Sequence, residues 1–263
     1  MTDKKYILVT GSNGFIGKHL VKSLREKGYI VYEFDRDQGD ITDFKFQFER
    51  IDHIVHLASL IFIPASWDDP QSFYRTNVMG VVNVLETCRK YNCSLTYISS
   101  YVYGPPKYLP VDEAHPVNPT SPYNHSKLVA EDICHYYYET FNIPVTVFRP
   151  VNVYGPGQRS DFLIPKIIAQ AIDTSVERIE VMDLRPKRDY LYVDDFINAI
   201  NLSFTLPEFN IFNISSGHSI SVEDIIITIL RKSGIKKSYF AKEIERQNEI
   251  WDVYADHSKI VLY

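Results

Sequence analysis

The run Tyr6-Ile7-Leu8-Val9-Thr10-Gly11-Ser12-Asn13-Gly14-Phe15-Ile16-Gly17 decides the fold. Its first five residues are apolar or β-branched and read as a buried strand. Glycines follow at GxxGxxG spacing, and residues 15–27 carry a helical pattern that Gly28 ends. Strand, glycine loop and helix in that order suit a dinucleotide. The glycines permit a tight turn, close approach of backbone to a pyrophosphate, and close packing of helix on strand. The helix N-terminus adds free N–H groups and the positive end of its dipole. A glycine-rich turn alone is only a turn, so the reading depends on what surrounds it.

Outward from that loop, short β-branched runs alternate with longer helical patterns. Strands are predicted over Tyr6–Thr10, Ile30–Phe34 and residues 53–57, 95–99 and 145–148. A long helix is predicted over Pro122–Phe141, with Pro122 in its first turn and Ser121 as its cap. Such alternation predicts an α/β fold, a doubly wound parallel sheet of Rossmann type. After Pro150 the texture changes: Gly155, Pro156 and Gly157 cluster, and later signals (178–182, 194–203, 211–214, 222–231) are shorter and mixed. The expected division is a dinucleotide-binding domain over 1–150 plus about 189–214. A small mixed α/β substrate lobe takes 151–188 plus about 215–263, and it looks truncated at its C-terminus.

Composition excludes several function classes. The net charge is −5 and no basic stripe appears, which argues against a nucleic-acid partner. No apolar run reaches the ~18 residues of a membrane span, and the charged start leads straight into a strand, unlike a signal peptide. Three cysteines without a motif point to a reduced, cytoplasmic chain. The eight histidines are scattered, and no metal site is expected.

The second strand ends in Asp35, whose carboxylate can accept from a ribose diol and would repel a 2′-phosphate, favouring NAD. Arg36 comes next and can turn toward a 2′-phosphate, which keeps NADP open. Tyr123 and Lys127 stand four residues apart, on one face of the predicted helix. An ammonium beside a phenol favours the phenolate and brings it toward acid/base use. Ser99, at the end of the preceding strand, can hydrogen-bond the same substrate oxygen. In a chain with 19 tyrosines this pair needs company to carry weight.

That company is present. GSNGFIG at 11–17, HLAS at 56–59, Asn77, ISSYVYG at 98–104, YNHSK at 123–127, FRPVNVYGPGQ at 148–158 and RDYLYVDD at 188–195 follow in order. Together they resemble the extended short-chain dehydrogenases/reductases, and within them the NAD-dependent epimerase/dehydratase group acting on nucleotide sugars. The resemblance implies that Tyr123 is the proton acceptor and donor, that Lys127 binds the nicotinamide ribose and tunes Tyr123, and that Ser99 polarises the reacting oxygen, with Ser100 as the neighbouring alternative. It implies that Gly11, Asn13, Gly14, Phe15, Ile16 and Gly17 hold the pyrophosphate. Asp35 would take the adenine ribose, with Arg36 beside it, and Asp40 and Ile41 would border the adenine. Leu57, Ala58, Ser59, Asn77, Pro150 and Val153 would line the nicotinamide half. Ser100, Tyr101 and Asn152 would touch the sugar nucleotide, and Arg188 and Arg246 would clamp its diphosphate.

The family's dehydratases and decarboxylases typically carry a carboxylate just after the catalytic Ser/Thr, whereas this chain has Ser100-Tyr101-Val102-Tyr103. The expected activity is therefore a nucleotide-sugar 4-epimerase that oxidises C4 transiently with bound NAD. The short interval from Asp35 to Asp40 resembles NAD(P)H-dependent nucleotide-sugar 4-ketoreductases, which form the alternative. A non-catalytic dinucleotide-sensing protein is a third reading, disfavoured because Tyr123 and Lys127 are both present. Family members pair through the helices around 78–90 and 122–141, so a homodimer is expected.

Overall fold

Ile7, Leu8 and Val9 are all completely buried, which makes the first strand the spine of the molecule. Each such side chain removed from water is worth about 1.5–3 kcal/mol. The computed structural model describes residues 4–244 and 249–262. In chain order it builds β1 (Tyr6–Thr10), α1 (Phe15–Glu26), β2 (Ile30–Phe34) and β3 (His53–His56). A helical run follows: α2 (Ile63–Asp68), α3 (Pro70–Tyr74), a π-helical turn (Arg75–Met79) and α4 (Gly80–Tyr91). Then come β4 (Ser94–Ile98), α5 (Pro122–Phe141), β5 (Val145–Pro150), β6 (Asn152–Tyr154), α6 (Leu163–Ile172), β7 (Arg178–Val181), β8 (Lys187–Arg188) and β9 (Tyr190–Tyr192). The chain continues through α7 (Val193–Leu202), β10 (Phe209–Ile214), β11 (Ile220–Ser221), α8 (Val222–Ser233), β12 (Ser238–Ala241), β13 (Asp252–Val253) and α9 (Ser258–Val261).

Six of these strands form one parallel sheet in the order β10-β5-β4-β3-β1-β2. From β1 the chain goes to β2 on one side and then crosses to β3 on the other. The boundary between β1 and β3 is thus the switch point, outside whose carboxyl ends such sheets bind ligands. One face of the sheet packs Leu20, Leu24, Phe196, Ile197 and Ile200 of α1 and α7. The opposite face packs Val81, Val84, Leu85, Ala130 and Cys134 of α4 and α5. The doubly wound parallel sheet is the fold expected from the sequence.

The sheet ends at β2. Residues 36–52 form no helix or strand, and Phe44 and Phe46 instead pack on Phe34, and Phe48 on Tyr32, at centroid separations of 4.5, 5.0 and 4.1 Å. Asn83 of α4 donates to the Ile41 and Phe44 carbonyls and Lys90 to that of Phe46, tying this short cover down. A smaller cluster around Ile167, Ile179, Val222 and Ile226 unites α6, β7 and α8 beside the carboxyl end of the sheet. Among the described residues no helix is long and apolar enough to cross a membrane, and no group of His, Cys, Asp and Glu is gathered as metal ligands.

Candidate active site

At the carboxyl end of β1 the backbone leaves no room for side chains. Gly11 has φ +72°, and a Cβ there would lie 2.8 Å from the Ala58 nitrogen at the end of β3. A Cβ on Gly17 would lie 2.2 Å from the Gly11 carbonyl oxygen. Glycine at these positions lets the loop close over the sheet edge and lets α1 start against it. Gly14 caps α1 with no side-chain hydrogen bond, so its first turn offers backbone N–H groups and the dipole to an anion. Phe15 and Ile16 turn inward and pack against the core cluster, leaving their backbone for that role. The cradle fits a dinucleotide pyrophosphate.

Asp35 ends β2 beside this loop. Its carboxylate accepts from the Asn13 N–H at 2.9 Å and the Arg36 N–H at 2.7 Å, which fixes it at the mouth. Asn13 therefore braces Asp35 through its backbone. Arg36 is exposed. Asp40 pairs with Arg75 at 3.3 Å, and the Thr42 N–H and hydroxyl hold its carboxyl below the usual carboxylate range. Ile41 is buried and contributes to the core. Beyond β3, Leu57, Ala58 and Ser59 are half-buried along the switch point. Asn77 departs from the expected contact role. It is 1% exposed, accepts from Ser59 and the Leu60 N–H, and donates to the Leu60 carbonyl and to Ser126. Its amide is spent joining the 58–60 turn to α5. Pro150 and Val153 follow at the end of β5 and in β6, with Val153 packed on the core.

α5 carries the reactive side chains. Ser121 caps it through the Asn124 N–H at 3.1 Å, and the first turn, with Tyr123, lies at the same sheet edge. Tyr123 is 8% exposed with its ring edge-on to Phe73. Burial pushes its phenol up, and a hydrogen bond from Ser100 works the other way. The expected lowering of this phenol by Lys127 is not what governs it, because Lys127 is itself desolvated. Burial pushes the ammonium down to about 7, against the pull of Glu131. Its Nζ donates to the Ile98 carbonyl at 2.8 Å and lies 5.1 Å from the Tyr97 ring centre.

The serine expectation shifts by one residue. The Ser99 N–H bonds the Phe148 carbonyl at 2.8 Å, which keeps Ser99 in the strand register, and its hydroxyl donates to the buried carboxylate of Glu131. It faces the interior. Ser100 is the first residue outside the ladder, and its hydroxyl is the group that works against the burial of the Tyr123 phenol. Strand residues alternate faces and the ladder persists for one residue more, so the pattern alone does not tell which of Ser99 and Ser100 faces the site.

Toward the smaller lobe, Tyr101 is half-buried with its hydroxyl on the Gly104 carbonyl at 2.8 Å, within reach of the Arg188 charge. Asn152 is exposed, and its amide donates to the Asp189 carbonyl at 2.9 Å. Arg188 is not waiting empty-handed. Its guanidinium bonds the Lys187 carbonyl at 2.8 Å and also the Ile250 carbonyl and the Glu249 carboxylate. Glu249, which no motif marks in the sequence, thus engages the Arg188 guanidinium. Arg246 lies outside the described residues. No role attaches to Glu131 or Arg149 in the sequence, although Glu131 follows Lys127 at the same spacing by which Lys127 follows Tyr123.

A glycine cradle at the switch point, facing a Tyr–Lys helix, defines an NAD(P)-dependent enzyme of the short-chain dehydrogenase type. The chain belongs to the NAD dependent epimerase/dehydratase family, whose model matches residues 7–215. It is 33% identical to the putative UDP-glucose 4-epimerase of Methanocaldococcus jannaschii, over 96% of this chain and 90% of that one. The Thermotoga maritima UDP-glucose 4-epimerase, solved with UDP-glucose, superposes with a TM-score of 0.88 at 26% identity, over 97% of this chain and 90% of that one. RMD from Pseudomonas aeruginosa, solved with NADPH, gives a TM-score of 0.89 at 27% identity, over 98% and 91%.

Proposed function

We propose that the chain is a nucleotide-sugar 4-epimerase that works with NAD. The observation that carries this is Tyr123, buried in the first turn of α5 with the Ser100 hydroxyl acting on its phenol and no carboxylate among residues 100–103. NAD, when bound along Gly11–Gly17 with its ribose at Asp35, supplies the hydride acceptor and donor. Tyr123 handles the proton, as base when the C4 hydroxyl becomes a ketone and as acid when the ketone returns to an alcohol. Ser100 donates to the same oxygen and stabilises charge that develops there. Lys127, anchored on Ile98, places a cation near the cofactor ribose.

Residues 100–103 offer no carboxylate, and the Tyr101 and Tyr103 hydroxyls are held by the Gly104 carbonyl and by Arg149. Neither serves elimination. The lobe of 151–188 and 215–263 receives the nucleotide through Asn152, Arg188 and Arg246. Two copies pair through α4 and α5, and Tyr136 and Phe141 of α5, with Met79 just before α4, are exposed apolar side chains. The free cysteines suit the cytoplasm.

A ketoreductase is the second reading, favoured by the trimmed segment after Asp35 and by the likeness to the NADPH-bound RMD. Native mass spectrometry and turnover separate the two. The epimerase reading expects co-purifying NAD and interconversion of a C4 epimer pair such as UDP-glucose and UDP-galactose without net reduction. An empty protein that consumes NADPH stoichiometrically against a 4-keto sugar nucleotide would reject it.

A further inference from the structure

Glu131 touches no reacting atom in the proposed chemistry, yet its carboxylate is 3% exposed directly behind the site. Tyr123, Lys127 and Glu131 follow one another at one-turn intervals on the same face of α5. From β5, Arg149 grips the carboxylate with Nε at 3.0 and 3.1 Å from its two oxygens and Nη2 at 2.5 Å. The remaining guanidinium nitrogen donates to the Tyr103 hydroxyl at 3.0 Å, which donates to Asn213 Oδ1 at 2.6 Å. The pair is thus locked on three sides, and the fourth is taken by the Ser99 hydroxyl. A buried ion pair adds little stability over an apolar pair of the same shape, so stability is a weak reason for this one.

We propose that Glu131 is a positioning residue for the Tyr123 chemistry. Clamped by Arg149, it ties down Ser99 and so fixes the turn that presents Ser100 to Tyr123, and it supplies the anion beneath the Lys127 ammonium. The inference rests on the reading of Tyr123 as the acid/base group and Ser100 as the donor to the same substrate oxygen.

The electrostatic half follows from what else faces Lys127. From its own helix these are Glu131 and Cys134. From β4 it is Tyr97, and from β3 it is His56. Burial, with the nearby Lys127 charge, pushes His56 down to about 3, so it is uncharged at neutral pH. Burial also keeps Tyr97 and Cys134 protonated. Glu131 is therefore the carboxylate that holds a proton on a lysine already displaced to about 7. Without it the ammonium would be lost within the working range.

The test uses the full chain as purified, labelled with 13Cε-lysine, with the Lys127 resonance assigned by its loss in Lys127→Met. Because Glu131→Gln alone strands Arg149, the primary variant is the neutral pair Glu131→Gln/Arg149→Met, with Ser99→Ala as the second. For the double variant we expect the Lys127 midpoint to fall by about one pH unit, corresponding to roughly tenfold in ammonium stability. Its kcat should fall roughly tenfold while KM stays within about twofold. Ser99→Ala should keep the lysine midpoint and lower kcat about fivefold, since it cuts only the tether. A folded double variant with both midpoint and kcat unchanged would overturn the proposal. If the unmodified protein interconverts no sugar nucleotide, the functional reading fails by itself, and the lysine midpoint still decides the role of Glu131.

Discussion

The Ser99 hydroxyl donates to the buried carboxylate of Glu131, while its neighbour Ser100 leaves β4 on the side of Tyr123, whose phenol it pulls down against burial. The two hydroxyls therefore have separable roles. Ser100→Ala should lower kcat on the order of 100-fold, as loss of a donor to a developing oxyanion does. Tyr123→Phe keeps the ring against Phe73 and should cost about 10²–10⁴ in kcat with an unchanged melting temperature. Steady-state rates beside thermal melts check both, and an active Tyr123→Phe would end the catalytic reading.

Gly17 tests the cradle. A methyl group there would be driven into the Gly11 and Ser12 carbonyl oxygens, at 2.2 and 2.6 Å. These are backbone atoms that cannot step aside without reshaping the loop. Gly17→Ala is expected to weaken NAD at least ~10-fold, about 1.4 kcal/mol, in a calorimetric titration. Wild-type affinity in that variant would show that the pyrophosphate lies elsewhere.

Arg188 tests the substrate side. Its fork is engaged by Glu249 and the Ile250 carbonyl, a geometry an ammonium cannot reproduce. Arg188→Lys should raise KM for the sugar nucleotide roughly tenfold and leave kcat within about threefold, the pattern of lost uniform binding. A collapse of kcat at constant KM would instead place Arg188 at the reacting end.

Acid should unfold the protein early. His53 and His56 are each 2% exposed, and burial pushes both down to about 3. The unfolded chain takes up these protons below about pH 6.5, where the native state refuses them. Stability contributed by the neutral rings is thus full above about pH 6.5 and falls as pH drops toward 3. The slope is about 1.4 kcal/mol per pH unit for each histidine. Urea midpoints at pH 7 and pH 5 measure it, and His53→Gln should remove about half.

The glycine run and the apolar strands left an open record in the sequence, because backbone clearance and burial each restrict which residues fit. Tyr6–Thr10, Ile30–Phe34 and Pro122–Phe141 have the bounds that the pattern predicts. The helical run 63–79 was not legible, being built of short pieces with prolines at 64 and 70. Side-chain direction was the other loss. Which of Ser99 and Ser100 faces Tyr123 depends on where the ladder stops, and that Asn77 spends its amide on Leu60 and Ser126 depends on tertiary contacts. The Glu131–Arg149 pair left a faint trace in the spacing after Lys127, but its partner strand lies too far along the chain for spacing to reveal.

The cover formed by Phe44, Phe46 and Phe48 has a dynamic consequence. Its carbonyls are held by the Asn83 and Lys90 side chains rather than by a strand ladder. Lifting it breaks those bonds and exposes Ile41 and Phe46, but it leaves the register of β1 and β2 whole. Local opening is therefore much easier here than in the sheet, and amides of 41–48 should exchange with solvent long before those of Ile7–Val9. On the proposed placement of the adenine beside Asp40 and Ile41, such opening would free that end of a dinucleotide while the sheet stays folded.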